Sequence, residues 1–246
     1  MANFIFKIIP KILADRIADI AARIISPSQH AFIKGRKIQH AIGLTSESFN
    51  LLNYKSYGGN VGLKIDISKA FDTLDWNFLI RVLTQFGFNQ TFTKWITTLL
   101  HSASLSILVN GTPYGFFNCC KGVRQGDPLS PILFCLAQDA LSRSISNLQS
   151  NGSIIPITSP HGFTSPTHIF YADDIIIFCR GTKRCLKSVV ELFDQYGAIS
   201  GQFMNRNKSK VIIGKYAAPR IASISQSLGM QPINGAFDYL GVPRSS

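Results

Sequence analysis

Nowhere in the 246 residues does an apolar run approach the ~20 consecutive residues that a bilayer-spanning helix needs, so the sequence holds no membrane anchor. Cysteine is scarce. The five present include no C-x-x-C pair, with two adjacent at Cys119 and Cys120, which matches neither zinc-ligand spacing nor a disulfide framework. A reducing compartment fits best, so the expected location is intracellular, nuclear or cytoplasmic, and not secreted. Repeats and low-complexity linkers are also lacking. With 46% hydrophobic residues, the chain reads as one or two compact units with a substantial core.

Acidic residues are few, 13 against 25 Lys and Arg, for a formal charge of +12. Such an excess commonly answers a polyanion, most often nucleic acid, although a solvated basic face explains it equally well from charge alone. The excess is +5 over residues 1–60, +2 over 61–150 and +5 over 151–246, so carboxylates are relatively dense in the middle.

Apolar residues Ile8, Ile9, Ile12, Leu13, Ile17, Ile20 and Ile24 recur at three- and four-residue steps, which predicts an amphipathic helix from about Pro10 to Ile25. Its likeness to a transit peptide is superficial, because Asp15 and Asp19 interrupt it. "VGLKIDI" alternates, with Val61, Leu63, Ile65 and Ile67 on one face and Gly62, Lys64 and Asp66 on the other, as in a strand. Asp75 is placed to cap a helix through Trp76, Phe78, Leu79 and Val82, and a second helix runs through Phe92, Trp95, Ile96, Leu99 and Leu100. Asn110-Gly111 is a strong hairpin signal. Ser130 and Pro131 open a helix, another follows from Thr182, and "KVIIG" reads as a further strand. Short hairpins mixed with separate helices indicate an α+β fold.

"FYADDIIIF" (170–178) sets Asp173 and Asp174 between two apolar runs that pair as a hairpin. An Asp-Asp tip serves as an ordinary turn, and Asp66 on a polar strand face serves solubility. Yet three carboxylates on or beside apolar strands, in a chain whose charge suits phosphates, also suit hard cations such as Mg²⁺. Two such ions ~4 Å apart support in-line phosphoryl displacement.

"LKIDISKAFDTLDWNFL" (63–79), "GVRQGDPLSPILF" (122–134), "FYADDIIIF", "NRNKS" (205–209) and "YLGVP" (239–243), with "ISPSQHAFIKGR" (25–36) upstream, occur in the order of reverse transcriptase motifs. Together they resemble the reverse transcriptase of a LINE-type (non-LTR) retrotransposon, similar to those of plant genomes. Group II intron enzymes typically carry paired glycines where this chain reads Gly126-Asp127, retroviral enzymes lack that stretch, and viral RNA-dependent RNA polymerases usually place Gly where this chain has Ala172.

The resemblance implies a right-hand polymerase with an antiparallel palm sheet carrying the catalytic aspartates. Fingers fall at about 1–60 and 78–120, palm at about 61–77 and 121–246, with thumb, endonuclease and RNase H outside the chain. Asp66, Asp173 and Asp174, with the backbone carbonyl of Ile67, then hold two Mg²⁺, or Mn²⁺ in their place. Lys208 matches the lysine that protonates departing pyrophosphate. Lys34, Arg36, Phe71, Arg124 and Gln125 fall at nucleotide contacts, Phe71 as the bulk that excludes a ribose 2′-OH. Gln125, Gly126, Tyr239, Leu240 and Gly241 fall against template and primer, and Asp127 orders its own loop. The implied partners are an RNA template, a DNA primer and dNTPs, with no membrane. Departures from the pattern are His40-Ala41 after "KGR" and the absence of an Arg-Pro-Ile segment before "FKIIPKIL". The reading is an RNA-directed DNA polymerase fragment, and the alternative is a retrotransposon relic that only binds nucleic acid.

Overall fold

The computed structural model describes residues 4–102, 104–160, 165–233 and 237–244. Helix α1 (Phe4–Ile24) precedes α2 (Ile38–Asn50), which ends in a 3-10 turn at Leu51–Asn53. Strand β1 (Asn60–Ile65) leads through the single-turn α3 (Ala70–Thr73) to α4 (Trp76–Gln85) and α5 (Gln90–His101). A ribbon of β2 (Ser104–Val109) and β3 (Thr112–Asn118) comes next, then the long α6 (Ser130–Ser150). Strands β4 (His168–Tyr171) and β5 (Asp174–Arg180), helix α7 (Lys183–Ser200) and β6 (Lys210–Ile213) follow. The described chain closes with α8 (Ile221–Leu228), β7 (Gln231–Pro232), and a hairpin of β8 (Phe237–Tyr239) and β9 (Val242–Arg244). The class is α+β, as the sequence suggested.

One sheet organises the molecule, in the order β4-β5-β1-β6-β7, antiparallel except for β6–β7. Alternation along each strand divides its side chains between two cores. Val61, Leu63, Ile65, Ile175, Ile177, Cys179 and Val211 enter the main core, shared with α1, α4, α6 and α7. Ile169, Ile176, Phe178 and Ile212 face the opposite way, into a smaller core with Ala41, Leu52 and Tyr239. The first half of helix α6 is buried on nearly every side, with Leu133, Phe134 and Leu136 inward, and the helix's buried Gln138, Asp139 and Ser142 are bonded to Gln29, the Ser26 N–H and His168.

Local signals held where the chemistry is local. Asp75 accepts the Phe78 N–H at 2.7 Å and caps α4, and Thr182 accepts from Cys185 N–H at the start of α7. Three expectations shift. Helix α1 starts at Phe4 and carries Pro10 inside it, since one proline forfeits an i→i−4 bond without ending a helix held by its packing. It docks through Leu13, Ala14, Ile17 and Ala21, while Ile8, Ile9, Ile12 and Ile20 are exposed, because the small alanines allow the closer approach. Trp95, expected in the core, is half-exposed. Helix α6 begins at Ser130 with Leu129 as cap residue, and it is Asp127 that orders the entry by accepting the Leu129 N–H at 2.9 Å. All five cysteines are free, and among the described residues no helix is long and apolar enough to cross a membrane.

Candidate active site

The β4–β5 hairpin turns through Ala172 and Asp173, with Tyr171 opposite Asp174. Ala172 sits at φ +52°, a left-handed conformation costing about 1–2 kcal/mol in an L-residue other than glycine. Its N–H donates to Gln29 Oε1 at 3.2 Å, and the same oxygen accepts the Ala31 N–H at 3.0 Å. Gln29 is fully enclosed, and its Nε2 donates to Gln138 Oε1 on α6. The "SPSQ" segment further clamps β4 by two backbone bonds, Phe170 N–H to Ser28 and His30 N–H to Phe170. Strain at the tip is thus held by a buried amide that the sequence reading quoted within a motif but did not single out.

Strand β1 pairs with β5 so that Ile65 faces Ile175. One further step brings Asp66 opposite Asp174, on the same face of the sheet, with Asp173 at the adjoining tip. Asp66 lies just beyond the end of β1, and its backbone is fixed from the other side. Its N–H donates to Ser209 Oγ at 3.0 Å and its carbonyl accepts the Asn205 N–H at 2.8 Å. The Asn205 carbonyl also accepts the N–H groups of Lys208 and Ser209, so "NRNKS" is a tight turn that delivers Lys208 beside Asp66.

Ile67 and Met204 form an isolated antiparallel bridge, bonded through their neighbours. In such a pair the central residues' own polar groups point away from each other. The Ile67 carbonyl is therefore turned away from Met204.

Burial raises the Asp66 carboxyl above its ordinary range; Lys208 opposes this, Asp173 adds to it, and Lys64 opposes it. Burial likewise raises Asp174, with Asp173 and Asp66 adding to it and Lys64 opposing it. The three carboxylates are close enough to repel one another, the situation a divalent cation relieves. Among the described residues, however, no group of three Asp, Glu, His or Cys side chains is drawn together as a finished metal cage. The donor set is all oxygen, which suits Mg²⁺, an ion that keeps several waters and takes one or two protein carboxylates.

A cleft of about 740 Å³, which none of the three carboxylates lines, is bounded by Asp72, Trp76, Leu105, Arg124, Gln125 and Gly126, among others. The "GVRQG" loop is stitched to the turn after β1: Val123 N–H donates to Phe71, Gly122 N–H to Leu74, and Trp76 Nε1 to the Gly122 carbonyl. Gly122 is at φ +81°, and a Cβ there would lie 2.6 Å from the Asp72 carbonyl oxygen, so only glycine permits this approach. Gln125 donates to Asp72 Oδ1 at 3.2 Å, and Arg124 reaches the Leu99 carbonyl and Ser102 Oγ. Phe71 is half-buried, its ring stacked on Phe134 at 4.2 Å and 12°.

Two of the expected contact residues have other partners within the chain. Arg36 donates to the carbonyls of Ser26, Gln29, Ala22 and Ile25, closing the C-terminal end of α1, where carbonyls lack partners within the helix. That guanidinium thus has both terminal nitrogens bonded to backbone carbonyls of the chain itself. Tyr239 is 1% exposed, its ring enclosed in the smaller core. Of the left-handed turn residues that follow it, Leu240 is half-buried against the smaller core and Gly241 is exposed. Lys34 pairs with Asp19 at 2.8 Å, both exposed, a contact too weak to commit it. Lys64, whose charge reaches both Asp66 and Asp174, was not singled out among the site residues.

Ala172, held in the left-handed region at the β4–β5 tip, thus sets Asp173 and Asp174 beside Asp66 at the end of the neighbouring antiparallel strand, with helices behind. Apo telomerase from Candida tropicalis truncated from its C-terminal domain shares this fold, with a TM-score of 0.63 over 95% of this chain and 43% of that one at 14% identity. The family model described as "Reverse transcriptase (RNA-dependent DNA polymerase)" matches residues 1–243, and the chain belongs to that family. Its relatives are proteins of non-LTR retrotransposable elements. The transposon TX1 uncharacterized 149 kDa protein of Xenopus laevis is 27% identical over 210 residues, 85% of this chain and 15% of that protein. The Pol polyprotein of the type-1 retrotransposable element R2 from Popillia japonica is 30% identical over 115 residues, 47% of this chain and 18% of that protein. The chain therefore spans under a fifth of the length of these relatives.

Proposed function

We propose that the chain is the catalytic portion of an RNA-directed DNA polymerase that extends a DNA primer 3′-OH on an RNA template with dNTPs. The observation that supports this best is the β1–β5 register, which brings Asp66 opposite Asp174 with Asp173 beside them, in a chain of the reverse transcriptase family. In this reading the palm comprises about 61–77 and 121–246, and the fingers about 1–60 and 78–120. Asp66, Asp173 and Asp174, with the Ile67 carbonyl, hold two Mg²⁺, or Mn²⁺. When bound, those ions supply the positive charge that stabilises the attacking and leaving oxygens of an in-line displacement.

The remaining roles belong to side chains. Lys208 donates a proton to departing pyrophosphate. Phe71, braced on Phe134, occupies the space a ribose 2′-OH needs. Arg124, Gln125 and Lys34 contact the nucleotide, Gln125 and Gly126 meet the template, and Leu240 and Gly241 support the primer end.

Primer extension on an RNA template tests the reading. Asp66→Asn or Asp173→Asn should lower the rate about 10²–10³-fold or more, the scale expected when one charge-stabilising group is lost, while primer–template binding persists. Extension that survives either substitution sinks the mechanism. Binding without extension by the unmodified chain supports the relic reading instead. Phe71→Ala should admit ribonucleotides, and unchanged sugar discrimination would return Phe71 to a packing role.

A further inference from the structure

Strands β1 and β6 face each other with two like charges, of which Lys64 is offset by Asp66 and Asp174. Lys64 in β1 and Lys210 in β6 are direct cross-strand partners. Their side chains leave the sheet on one face, with Cβ atoms roughly 5 Å apart, and like charges so opposed destabilise a sheet. Both residues are half-buried. None of the ion pairs among the described residues includes either of them.

Their face decides their use. Lys64 precedes Asp66 by two residues on the same side of β1, about 6.6 Å along the strand. Its Nζ donates to the Asp238 carbonyl in β8 at 3.1 Å, which ties the floor of the sheet to the β8–β9 hairpin. The Lys64 ammonium thus stands between the carboxylate edge and that hairpin, with Lys210 as its cross-strand neighbour. A position that costs the free protein repulsion gains from a ligand bearing negative oxygens, because charge-assisted bonds to phosphate use both cations at once.

We infer that Lys64 and Lys210 form a seat for phosphate oxygens, those of the primer strand just behind its reacting end. The source is the primer and not the triphosphate because Lys64 is bonded toward the β8–β9 hairpin, with Lys210 beside it across the sheet, whereas Lys208 is the lysine delivered beside Asp66. This deepens the proposed function and rests on it for the identity of the polyanion.

Binding of a primer–template duplex to the chain, followed by anisotropy over a range of salt, tests the seat. Lys64→Gln and Lys210→Gln should each reduce the slope of log affinity against log salt by about 0.9, and the double variant by about twice that. Thermal melting of Lys210→Gln should be unchanged or raised, because the repulsion is relieved. Acetylation of surface lysines read by mass spectrometry supplies the second arm, in which duplex protects Lys64 and Lys210 and dNTP alone does not.

Protection by dNTP without protection by duplex moves the seat to the nucleotide and overturns the primer assignment. An unchanged salt slope in the double variant, or a lowered melting temperature with no change in slope, overturns the seat altogether. A wild-type chain that shows the expected slopes and protection but never extends a primer defeats the polymerase reading alone. Extension with unaltered slopes in the variants defeats the seat alone.

Discussion

Two hairpins of this chain are almost equally apolar and end in comparable left-handed turns, yet one lies at the heart of the molecule and the other outside it. In β4–β5, residues Ile175 to Cys179 are fully buried, and the turn residue Ala172 sits at φ +52°. In β2–β3, Leu105, Ile107, Leu108, Tyr114, Phe116 and Phe117 are half to nearly three-quarters exposed, around Asn110 at φ +48° and Gly111 at φ +81°. Composition does not separate them. What does is a third strand: β5 pairs with β1, which brings a five-stranded sheet and its helices, whereas β2 and β3 pair only with each other. Hairpin formation is a local property; burial and chemistry depend on what the second edge meets.

The sharpest way to break the comparison is to delete the same methyl groups from both hairpins. Ile177→Ala in β5 should cost about 2–5 kcal/mol, since the side chain is fully enclosed between Leu63 and the helices of the main core. Ile107→Ala in β2 should change stability by no more than about 0.5 kcal/mol, the range of exposed sites. Urea denaturation measures both. Similar losses would mean that the ribbon is packed after all.

A second difference is one of titration. His168 in β4 is 4% exposed, with Nε2 2.8 Å from Ser142 Oγ and no partner for Nδ1. Burial pushes its imidazole down to about 4, from 6.5. Because the folded value is the lower, the unfolded chain takes up a proton between pH 6.5 and 4 that the folded chain refuses. Stability therefore falls as pH drops through that window, by about 1.4 kcal/mol per unit and about 3 kcal/mol in all. Denaturation midpoints of wild type and His168→Gln between pH 7 and 4 check this. The variant should lose that part of the slope, and parallel curves would remove His168 as its source.

What the sequence disclosed follows the same division. Period-2 alternation in "VGLKIDI" and "IIIF", the caps Asp75 and Thr182, and the Asn110-Gly111 turn were legible because each depends on neighbours in the chain. The carboxylate edge was legible because motif order implied that β1 and β5 lie side by side. Arg36 and Tyr239 were not, since their surroundings come from distant segments. The carbonyls at the end of α1 claim the guanidinium, and the pocket formed by Ala41, Leu52 and Phe178 claims the ring. Gln29 and Lys64 escaped for the same reason. The tip that Gln29 holds lies 143 residues further on, and Lys64 is one step across the sheet from Lys210 although distant from it in sequence.

The smallest effect is the most discriminating. Gly111 is at φ +81° with nothing within 4 Å of where a Cβ would stand, so alanine there meets no clash and suffers only the left-handed backbone penalty, about 1–2 kcal/mol. In a hairpin joined to a core, such a penalty would appear in the stability of the whole domain. The β2–β3 side chains, by contrast, belong to neither core cluster, so the penalty has no route into global unfolding and should be confined to opening of the ribbon itself. Gly111→Ala should therefore speed amide hydrogen exchange across residues 104–118 by about tenfold, the equivalent of ~1.4 kcal/mol, while the urea midpoint shifts by less than about 0.5 kcal/mol. If the midpoint moved with the exchange rates, the ribbon would be part of the cooperative unit, and the contrast between the two hairpins would lie in exposure alone.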